Sequence, residues 1–326
     1  MRRLGKAVAA VVIGLLGIGL FASSALAQGW PQRSVRFIVP LGPGSGVDIG
    51  SRLLADRLGA KWKQSVVVEN RPGGDAVVAI NAFIGANDDH VLLYTPTSSF
   101  TAHPYQLAKV PYNLSELTPI ARITSTLLGV VVWPGLKVDT LAQLIARIKA
   151  EPGKLNYSTA TGMTDVIFDG YFKSANLVIT RVPYRDVVAP LTDLGEGRIQ
   201  AYIGALAIVQ PHIQAGRARL LAVTNSQRAL TYPDIPTVAE AGFEAMTFDG
   251  LTGLFGPRSM PDAVRSQIAA DIREALTDQT IASRFTATGQ VLSPGSAAEF
   301  AASIEGQRSK LAGIAKQLGI TAAMPK

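Results

Sequence analysis

Short runs of apolar, largely β-branched residues alternate with amphipathic stretches along most of the chain. Runs that are bounded by Pro, Gly, Asn or Thr are typical of buried strands. On this basis we predict strands at residues 35–39, 66–68, 91–94, 130–132, 155–158, 201–203 and 220–223. Because helical segments separate these strands, the pattern predicts a largely parallel α/β architecture.

The helical segments carry their apolar residues on one face. The clearest lies within residues 140–150, where four apolar residues follow the i, i+3, i+4, i+7 spacing of an amphipathic helix: Leu141, Leu144, Ile145 and Ile148. We also predict a helix that starts near Pro261 and a last helix over residues 297–318. No long Gly/Ser linker divides the chain, so two lobes would be joined by strands or short crossings.

A strand–loop–helix unit occurs twice. The strand at 35–39 runs into a loop of small residues at 40–46 and then into a helix. The strand at 155–158 runs into a similar loop at 159–164 and then into a second helix. Small side chains let a ligand approach the backbone, and the free N–H groups of a helix start carry about half a positive charge. Each unit is therefore predicted to bind an anion, and a tight turn without a ligand is the alternative.

The loop at 40–46 matches none of the named Gly-rich motifs. Position 47 is Val where the P-loop and one register of the G-x-G-x-x-G motif need Gly, and position 49 is Ile in the other register. Pro43 and Val47 stand at the glycine positions of a G-x-S-x-G motif around Ser45. The loop is therefore not predicted to bind a nucleotide.

The first 27 residues have the pattern of an export signal. Three basic residues precede an uncharged apolar run at 7–21, and residues 25–27 (ALA) have the small-x-small form of a signal-peptidase site. We predict cleavage after Ala27 and export of the mature protein. A retained membrane anchor is the alternative, but the apolar run covers 15 residues, whereas a membrane-spanning helix needs about 20.

Composition limits the classes of protein to which this chain can belong. Its 326 residues are 48% apolar and 17% charged, which fits two globular domains and excludes a disordered chain. The chain has no Cys, which excludes a disulfide scaffold, a thiolate metal site and a cysteine nucleophile. Removal of the three basic residues of the leader lowers the net charge from +7 to 7 − 3 = +4, and no Lys/Arg stripe indicates nucleic-acid binding.

No residue pattern singles out a catalytic or metal site. The three His residues are His90, His103 and His212, and no two of them have the i, i+3 or i+4 spacing of a helical metal pair. Asp88 and Asp89 are interpreted as a polar turn before a strand. We predict no metal, no cofactor and no enzymatic activity, and a zinc site built from distant segments or an exported hydrolase remain the alternatives.

A series of short segments carries a resemblance to a known family. They are residues 30–31 (WP), 35–40 (VRFIVP), 43–44 (PG), Asp48, 67–73 (VVENRPG), 117–121 (LTPIA), 152–157 (PGKLNY), 182–184 (VPY), 220–224 (LLAVT) and 233–242 (PDIPTVAEAG). Taken together, in this order and after an export signal, they make the mature chain resemble the periplasmic substrate-binding proteins of tripartite tricarboxylate transporters, the Bug family. The resemblance covers nearly the whole mature length.

The resemblance implies a two-lobed α/β fold of the periplasmic-binding-protein class, a Venus flytrap clamshell with a cleft between its lobes. Residues 29–129 and 250–326 would form lobe 1, and residues 130–249 would form lobe 2. It further implies a periplasmic receptor that captures a small organic acid, with a dicarboxylate expected, and delivers it to integral membrane transporter subunits. We expect a monomer. A ligand-dependent signalling partner of a membrane sensor is the alternative.

Proteins of this family hold ligand carboxylates with backbone amides and small hydroxyl side chains. Carried over to this sequence, the ligand-binding residues are expected to be Gly44, Ser45, Gly46, Gly73, Gly74, Asp75, Thr97 and Ser98 in lobe 1, and Ser158, Thr159, Thr161 and Tyr184 in lobe 2. Asp75 stands in a segment that is more glycine-rich in the family. A carboxylate there that faces the cleft would repel an acid group and favour an amine or hydroxyl on the ligand, whereas one that faces solvent would have no such role.

Overall fold

The computed structural model describes residues 29–160, 162–184 and 189–323 of the chain. The predicted leader at 1–27, the predicted ligand residue Thr161 and the last residues of the predicted lobe 1, 324–326, lie outside these ranges. Within them the chain forms two β-sheets, each covered by helices on both faces. No helix in the described ranges combines the length and the apolar character that crossing a membrane requires.

The structure agrees with most of the predicted elements and adds several. The strands are β1 (Val35–Val39), β2 (Val66–Asn70), β3 (Val91–Pro96), β4 (Leu117–Thr126), β5 (Leu128–Val132), β6 (Asn156–Thr159), β7 (Thr180–Arg181), β8 (Ala201–Ala205), β9 (Arg219–Val223), β10 (Gly250–Pro257) and β11 (Gln290–Gly295). The α-helices are α1 (Gly46–Trp62), α2 (Val77–Ala86), α3 (Thr97–Gln106), α4 (Leu141–Ala150), α5 (Gly162–Ser174), α6 (Ala189–Gly195), α7 (Leu206–Gln214), α8 (Asp262–Ala275), α9 (Gln279–Ala287) and α10 (Ala297–Leu318). Every predicted strand is present within two residues of its predicted ends, and α10 has its predicted bounds.

Both sheets are mixed. The first has the strand order β11-β4-β10-β3-β1-β2 and the second has the order β7-β6-β8-β5-β9. β1 runs parallel to β2 and β3, and β6 runs parallel to β7 and β8. All the other pairs are antiparallel. The prediction of a largely parallel architecture is therefore wrong. The chain leaves the first sheet through β4 and returns to it through β10, and these two strands are antiparallel neighbours. In the second sheet β5 and β9, through which the chain enters and leaves, are also antiparallel neighbours.

The chain passes between the two sheets twice. β4 ends at Thr126 in the first sheet and β5 begins at Leu128 in the second, and the chain returns after β9 to enter β10 at Gly250. The two crossings are bonded to each other, because the Thr224 amide donates to the Leu128 carbonyl at 2.9 Å. Within the return crossing, the Phe248 amide donates to the Thr224 carbonyl at 2.7 Å. The predicted lobe boundaries stay a prediction, although Leu128 pairs within the second sheet.

In both lobes the loops that follow the parallel strands open toward the other lobe. Pro96, the last residue of β3, pairs with Thr252 near the start of β10. Ala205, the last residue of β8, pairs with Leu128 at the start of β5. Since β5 and β10 begin at the crossings, the carboxyl ends of β1, β2 and β3 in one lobe and of β6 and β8 in the other lie at the edges that meet there. This edge is where open α/β sheets bind ligands.

The core of each lobe lies on both faces of its sheet. Phe37 and Phe255 are buried on opposite faces of the first sheet, and Tyr157 is buried against α4 and α5 in the second. Full burial of an apolar side chain of this size stabilises the fold by about 1.5–3 kcal/mol. α10 contributes to both lobes, because Phe300 lies in the core of the first and Leu311 in that of the second.

α10 is fixed at both ends. It begins at a capping box in which the Ser296 hydroxyl accepts from the Glu299 amide and the Glu299 carboxylate accepts from the Ser296 amide at 2.8 Å. It ends at Leu318 and is capped by Gly319, whose φ of 71° suits glycine. Lys173 of α5 donates to the Leu318 carbonyl at 2.9 Å, which joins the end of α10 to the second lobe.

Candidate functional site

The first strand–loop–helix unit, from β1 to α1, holds a carboxylate of the chain itself. Ser45 caps α1, and its hydroxyl oxygen accepts from the Asp48 amide at 3.2 Å. The Asp48 carboxylate accepts in return from the Gly44 amide at 2.9 Å. The backbone donor that the sequence predicts for a ligand at Gly44 is therefore bonded to a side chain three residues beyond the cap.

Asp48 is buried and ionised. It is 3% exposed, and its carboxylate also accepts from Arg52 Nε at 3.0 Å and Asn70 Nδ2 at 2.8 Å. Burial acts to raise the pKa of Asp48, but the bonds from Arg52, Gly44 and Asn70 outweigh it and hold the pKa below the ordinary value. Among the described residues no acceptor bonds to the Gly46 amide, so this part of the helix start stays open to a ligand.

The loop after β2 is tightly wound. Four consecutive residues have positive φ angles: Gly73 (127°), Gly74 (58°), Asp75 (48°) and Ala76 (77°). The Gly74 and Gly73 carbonyls accept from the first two amides of α2, at 3.1 and 3.4 Å. The loop therefore caps α2 with its own backbone, and its polar side chain at the interlobe edge is that of Asp75.

Asp75 is held against α3. The Ser99 hydroxyl donates to the Asp75 carboxylate at 3.0 Å, and His103 Nε2 donates to the Asp75 carbonyl at 2.9 Å. His103 Nδ1 lies against the Tyr112 hydroxyl, so both ring nitrogens have partners. The Asp75 side chain is 42% exposed, which leaves its carboxylate accessible.

The start of α3 carries two predicted hydroxyls that the structure places differently. Thr97 is fully buried, and its hydroxyl donates to Gln307 Oε1 of α10 at 2.6 Å. Ser98 is 4% exposed, and its hydroxyl makes no hydrogen bond to any described residue. The Ser98 hydroxyl oxygen itself is not fully buried, so it can bond to water and is available to a ligand.

The second unit, from β6 to α5, has a similar free hydroxyl. Ser158 is 1% exposed, and in the described parts of the chain nothing bonds to its hydroxyl. The neighbouring Thr159 hydroxyl donates to Asp165 in the first turn of α5. Tyr184 donates its hydroxyl to Asp193, within the second lobe. Of these three predicted residues, Ser158 has the hydroxyl that a ligand can engage without breaking an existing bond.

An ionic cluster surrounds the start of α5. Arg181 donates to Asp165 at 2.9 Å through Nη1 and to Asp169 at 3.1 Å through Nε, and the Tyr157 hydroxyl also donates to Asp169. Burial raises the pKa of Asp165, and the nearby charges of Asp169 and Asp75 add to this effect. Sequence reasoning missed the cluster, because its members come from β6, α5 and β7 and form no motif.

Two helices meet across the lobes. Gln106 Nε2, at the end of α3, donates to the Gly162 carbonyl at the start of α5 at 2.9 Å. The Thr101 hydroxyl lies 3.5 Å from Met163 Sδ. The middle and the end of α3 therefore contact the start of α5, and the loop at 73–75 is bound to α3 through Ser99 and His103. The side-chain and backbone bonds found at residues 44–46 and at Tyr184 lie within their own lobes.

Asn225 ties the two crossings together and was not found from the sequence. Its Oδ1 accepts from the Leu128 amide at 2.9 Å. Its Nδ2 lies 3.2 Å from Ser125 Oγ, 3.0 Å from the Thr126 carbonyl and 3.3 Å from Asp249 Oδ1. Asn225 is 3% exposed, so these bonds are shielded from water. A single Asn in a loop gives no sequence signal for such a position.

A cavity of about 630 Å³ lies beside the crossings. Both lobes line it, with Arg122, Met163, Asn225, Asp249 and Lys310 among its walls. Burial lowers the pKa of Lys310, whose amino group donates to the Thr247 carbonyl. None of the predicted ligand residues lines this cavity.

Among the described residues, Asp88, Asp89 and His90 bring donor atoms close enough together to hold a metal ion. Protein groups already engage these atoms: Arg33 donates to Asp88 at 2.6 Å, and His90 Nδ1 lies 2.7 Å from Asp89 Oδ1. The group precedes β3 and so lies at the edge of the sheet opposite the crossings.

Comparison with known proteins gives consistent matches over most of the chain. The family model described as the tripartite tricarboxylate transporter family receptor matches residues 51–320. Protein BugT of Bordetella pertussis is 31% identical over 288 residues, which are 87% of this chain and 87% of that protein.

Solved structures show the same architecture. One described as a periplasmic transporter has a TM-score of 0.79 at 25% identity and covers 90% of this chain and 99% of its own. The structure of R. palustris Rpa4515 with adipate has a TM-score of 0.77 at 26% identity, with the same coverage of 90% and 99%. The predicted two-lobed periplasmic-binding-protein fold is thereby confirmed.

Proposed function

This chain belongs to the tripartite tricarboxylate transporter receptor family, and we propose that it captures a small organic acid between its lobes and delivers it to a membrane transporter of that type. The family is one of periplasmic substrate-binding receptors and not of enzymes. The predicted export signal and the monomeric state belong to the proposal. The dicarboxylate expected from the sequence is the first kind of acid to test.

The observation that carries the proposal is a pair of free hydroxyls at the meeting edges of the lobes. Ser98 in the first lobe and Ser158 in the second are both buried, and neither hydroxyl bonds to a described residue. Each stands where a strand gives way to a helix whose first amides point out of the helix end. A ligand with oxygen atoms at the cleft would bond to both, and Rpa4515, 26% identical, has a structure with adipate.

The bonds available are sufficient without a buried cation. A hydrogen bond to a charged group contributes about 1.5–3 kcal/mol, and micromolar affinity corresponds to about 8 kcal/mol. Association and lobe closure together cost several kcal/mol. About four to six bonds from helix-start amides and from the hydroxyls of Ser98 and Ser158 would therefore support micromolar binding.

The predicted ligand residues stand as the proposed lining of the cleft, with two kinds of role. Ser98, Ser158 and the Gly46 amide are proposed to bond to the ligand directly. Thr97 and Thr159 are proposed to shape the walls through the internal bonds of their hydroxyls.

The position of His103 supports binding rather than hydrolysis. His103 lies on the same helix as Ser98, but its ring nitrogens are engaged by Tyr112 and by the Asp75 carbonyl. A general base must reach the hydroxyl that it activates. An imidazole whose two nitrogens are already bonded elsewhere is poorly suited to that role.

Isothermal titration calorimetry of the purified protein tests the proposal. Adipate, succinate, malate and terephthalate form the first panel, and 1,6-hexanediol is the matched control because it has the length of adipate without its charges. We expect micromolar binding for at least one acid and none for the diol. Absence of binding for every dicarboxylate and every amino acid tried, or equal binding of the diol, would contradict the proposal.

Delivery is tested separately with the membrane subunits reconstituted in vesicles. Uptake of the bound acid is expected only when the receptor is present on the outer side. Receptor-independent uptake would leave binding intact but would contradict delivery.

A further inference from the structure

Asp75 has a fixed place over the first turn of α3. Its backbone lies in the left-handed region, with φ of 48°, and His103 Nε2 holds its carbonyl at 2.9 Å. The Ser99 hydroxyl, from the third residue of α3, holds its carboxylate at 3.0 Å. A helix N-terminus favours a negative charge. The chain therefore supplies its own anion where the first lobe would otherwise receive the carboxylate of a ligand.

This carboxylate lacks the cationic partners that its neighbours have. Asp48 is paired with Arg52, and Asp165 is paired with Arg181 at 2.9 Å. Over the described ranges no Lys or Arg nitrogen lies within 4.0 Å of the Asp75 carboxylate, and His103 Nε2, which already donates to the Asp75 carbonyl, lies 3.7 Å from Oδ2. With its side chain 42% exposed, Asp75 presents an accessible negative charge that no Lys or Arg neutralises.

The charge of Asp75 also acts on the opposite lobe. Its field contributes to the raised pKa of Asp165 in the first turn of α5, so the two acids lie within electrostatic range of each other. The α3–α5 contact through Gln106 and Gly162 holds these segments side by side. Because Arg181 pairs with Asp165, Asp75 is the acid whose charge is left uncompensated: a second carboxylate brought to the first-lobe side of the cleft would be repelled by Asp75, whereas a cation would be attracted by it.

We propose, resting on the receptor function above, that the preferred ligand is a small zwitterion: its carboxylate binds the second lobe beside Ser158, and its protonated amine binds Asp75. Asp75 is then the residue that decides between an amino acid and a dicarboxylate. Ser98, one residue before Ser99 and without a hydrogen bond to the described residues, completes the first-lobe side as a hydroxyl acceptor for the amine.

Matched pairs of ligands test the inference by calorimetry. 6-Aminohexanoate and adipate have the same length, as do 4-aminobutanoate and succinate, and they differ only in whether an amine replaces one carboxylate. For the wild-type protein we expect the amino acid of at least one pair to bind at least tenfold more tightly than its diacid. Asp75→Asn is expected to abolish or reverse that preference.

Two variants serve as controls. Asp56→Asn removes an exposed carboxylate from α1 and should keep the preference. Ser99→Ala removes one bond to Asp75 but keeps its charge, and it should also keep the preference. Asn tolerates positive φ about as well as Asp, so Asp75→Asn should fold, and its thermal unfolding midpoint checks this. If it does not fold, Asp75→Gly takes its place, because glycine removes the carboxylate and adopts a positive φ freely.

The outcomes separate the two proposals. Tighter binding of the diacids by the wild-type protein, or a preference for the amino acids that Asp75→Asn leaves unchanged, overturns the role of Asp75 while the receptor function stands. Failure of every acid and every amino acid to bind overturns the receptor function and this inference with it.

Discussion

The two strand–loop–helix units look alike in sequence and differ in what they leave free. In the first, Gly44 donates its amide to Asp48, and the Ser45 hydroxyl caps the helix. In the second, the Ser158 hydroxyl is not fully buried and has no partner among the described residues. The acid of the following helix turn, Asp165, is held by Arg181 instead.

The difference teaches that a loop of small residues before a helix is not by itself an anion site. Asp48 stands three residues after Ser45, which is the spacing at which a side chain folds back onto a helix start. The acid in the other unit, Asp165, bonds sideways to β7 and to Thr159. Whether the amides at a helix start are free therefore depends on whether the nearest carboxylate of the chain folds back to bond to them.

Asp48→Asn should have the largest effect, because Asp48 is the carboxylate that occupies the Gly44 amide of the first strand–loop–helix unit. The amide cannot serve as a charged acceptor for Arg52 and the Gly44 amide, and we expect a loss of about 3 kcal/mol in the free energy of unfolding, measured with urea. Because folding lowers the pKa of Asp48, its stabilisation is present above the ordinary value of 3.8 and is lost as the pH falls through the lowered pKa. The variant should lack this part of the pH dependence.

Asp56→Asn, an exposed acid on the same helix, is the matched control and should change stability little. An equal loss in both variants would show that Asp48 owes its effect to general charge and not to its buried bonds.

Asn225→Ala tests the crossings that keep the two units facing each other. The substitution leaves the buried Leu128 amide without its side-chain acceptor and removes the donor to the Thr126 carbonyl. We expect a loss of about 2 kcal/mol in the free energy of unfolding. Gln227→Ala, an exposed side chain of the same loop, serves as the comparison. A loss no larger than that of Gln227→Ala would argue against a structural role for Asn225.

Ser158→Ala tests the second strand–loop–helix unit, in which the Ser158 hydroxyl is free. Because its hydroxyl bonds to no described residue, stability should not fall. Ligand affinity should weaken about tenfold, which corresponds to about 1.4 kcal/mol. Calorimetry and thermal unfolding of the same samples measure both quantities. Ser174→Ala, whose hydroxyl donates to the Tyr171 carbonyl in the same helix, is the control for affinity.

Ser45→Ala should have the smallest effect, and it should lower stability rather than ligand affinity, the reverse of Ser158→Ala. Loss of a helix cap costs about 1 kcal/mol of stability, and the change in ligand affinity should be smaller than that of Ser158→Ala. If Ser45→Ala weakened binding more than Ser158→Ala did, the assignment of the two units would have to be exchanged.

Local patterns carried much of the fold. The strand predicted at 35–39 and the helix predicted at 297–318 match the structure, because period and end signals are properties of neighbouring residues. β4, β10 and β11 were not predicted, and the parallel architecture was wrong, because these strands are defined by antiparallel partners far away in the chain.

The sequence by itself determined the strand–loop–helix units, the family to which the chain is similar and the small residues at each helix start. Only the tertiary structure decided which of those groups stay free: Asp48 and Thr97 are engaged, Ser98 and Ser158 are not, and Asn225 joins the crossings. The physical reason is that a hydrogen bond depends on where two groups come to lie. Residues as far apart as Thr97 and Gln307 meet only after the whole chain has folded.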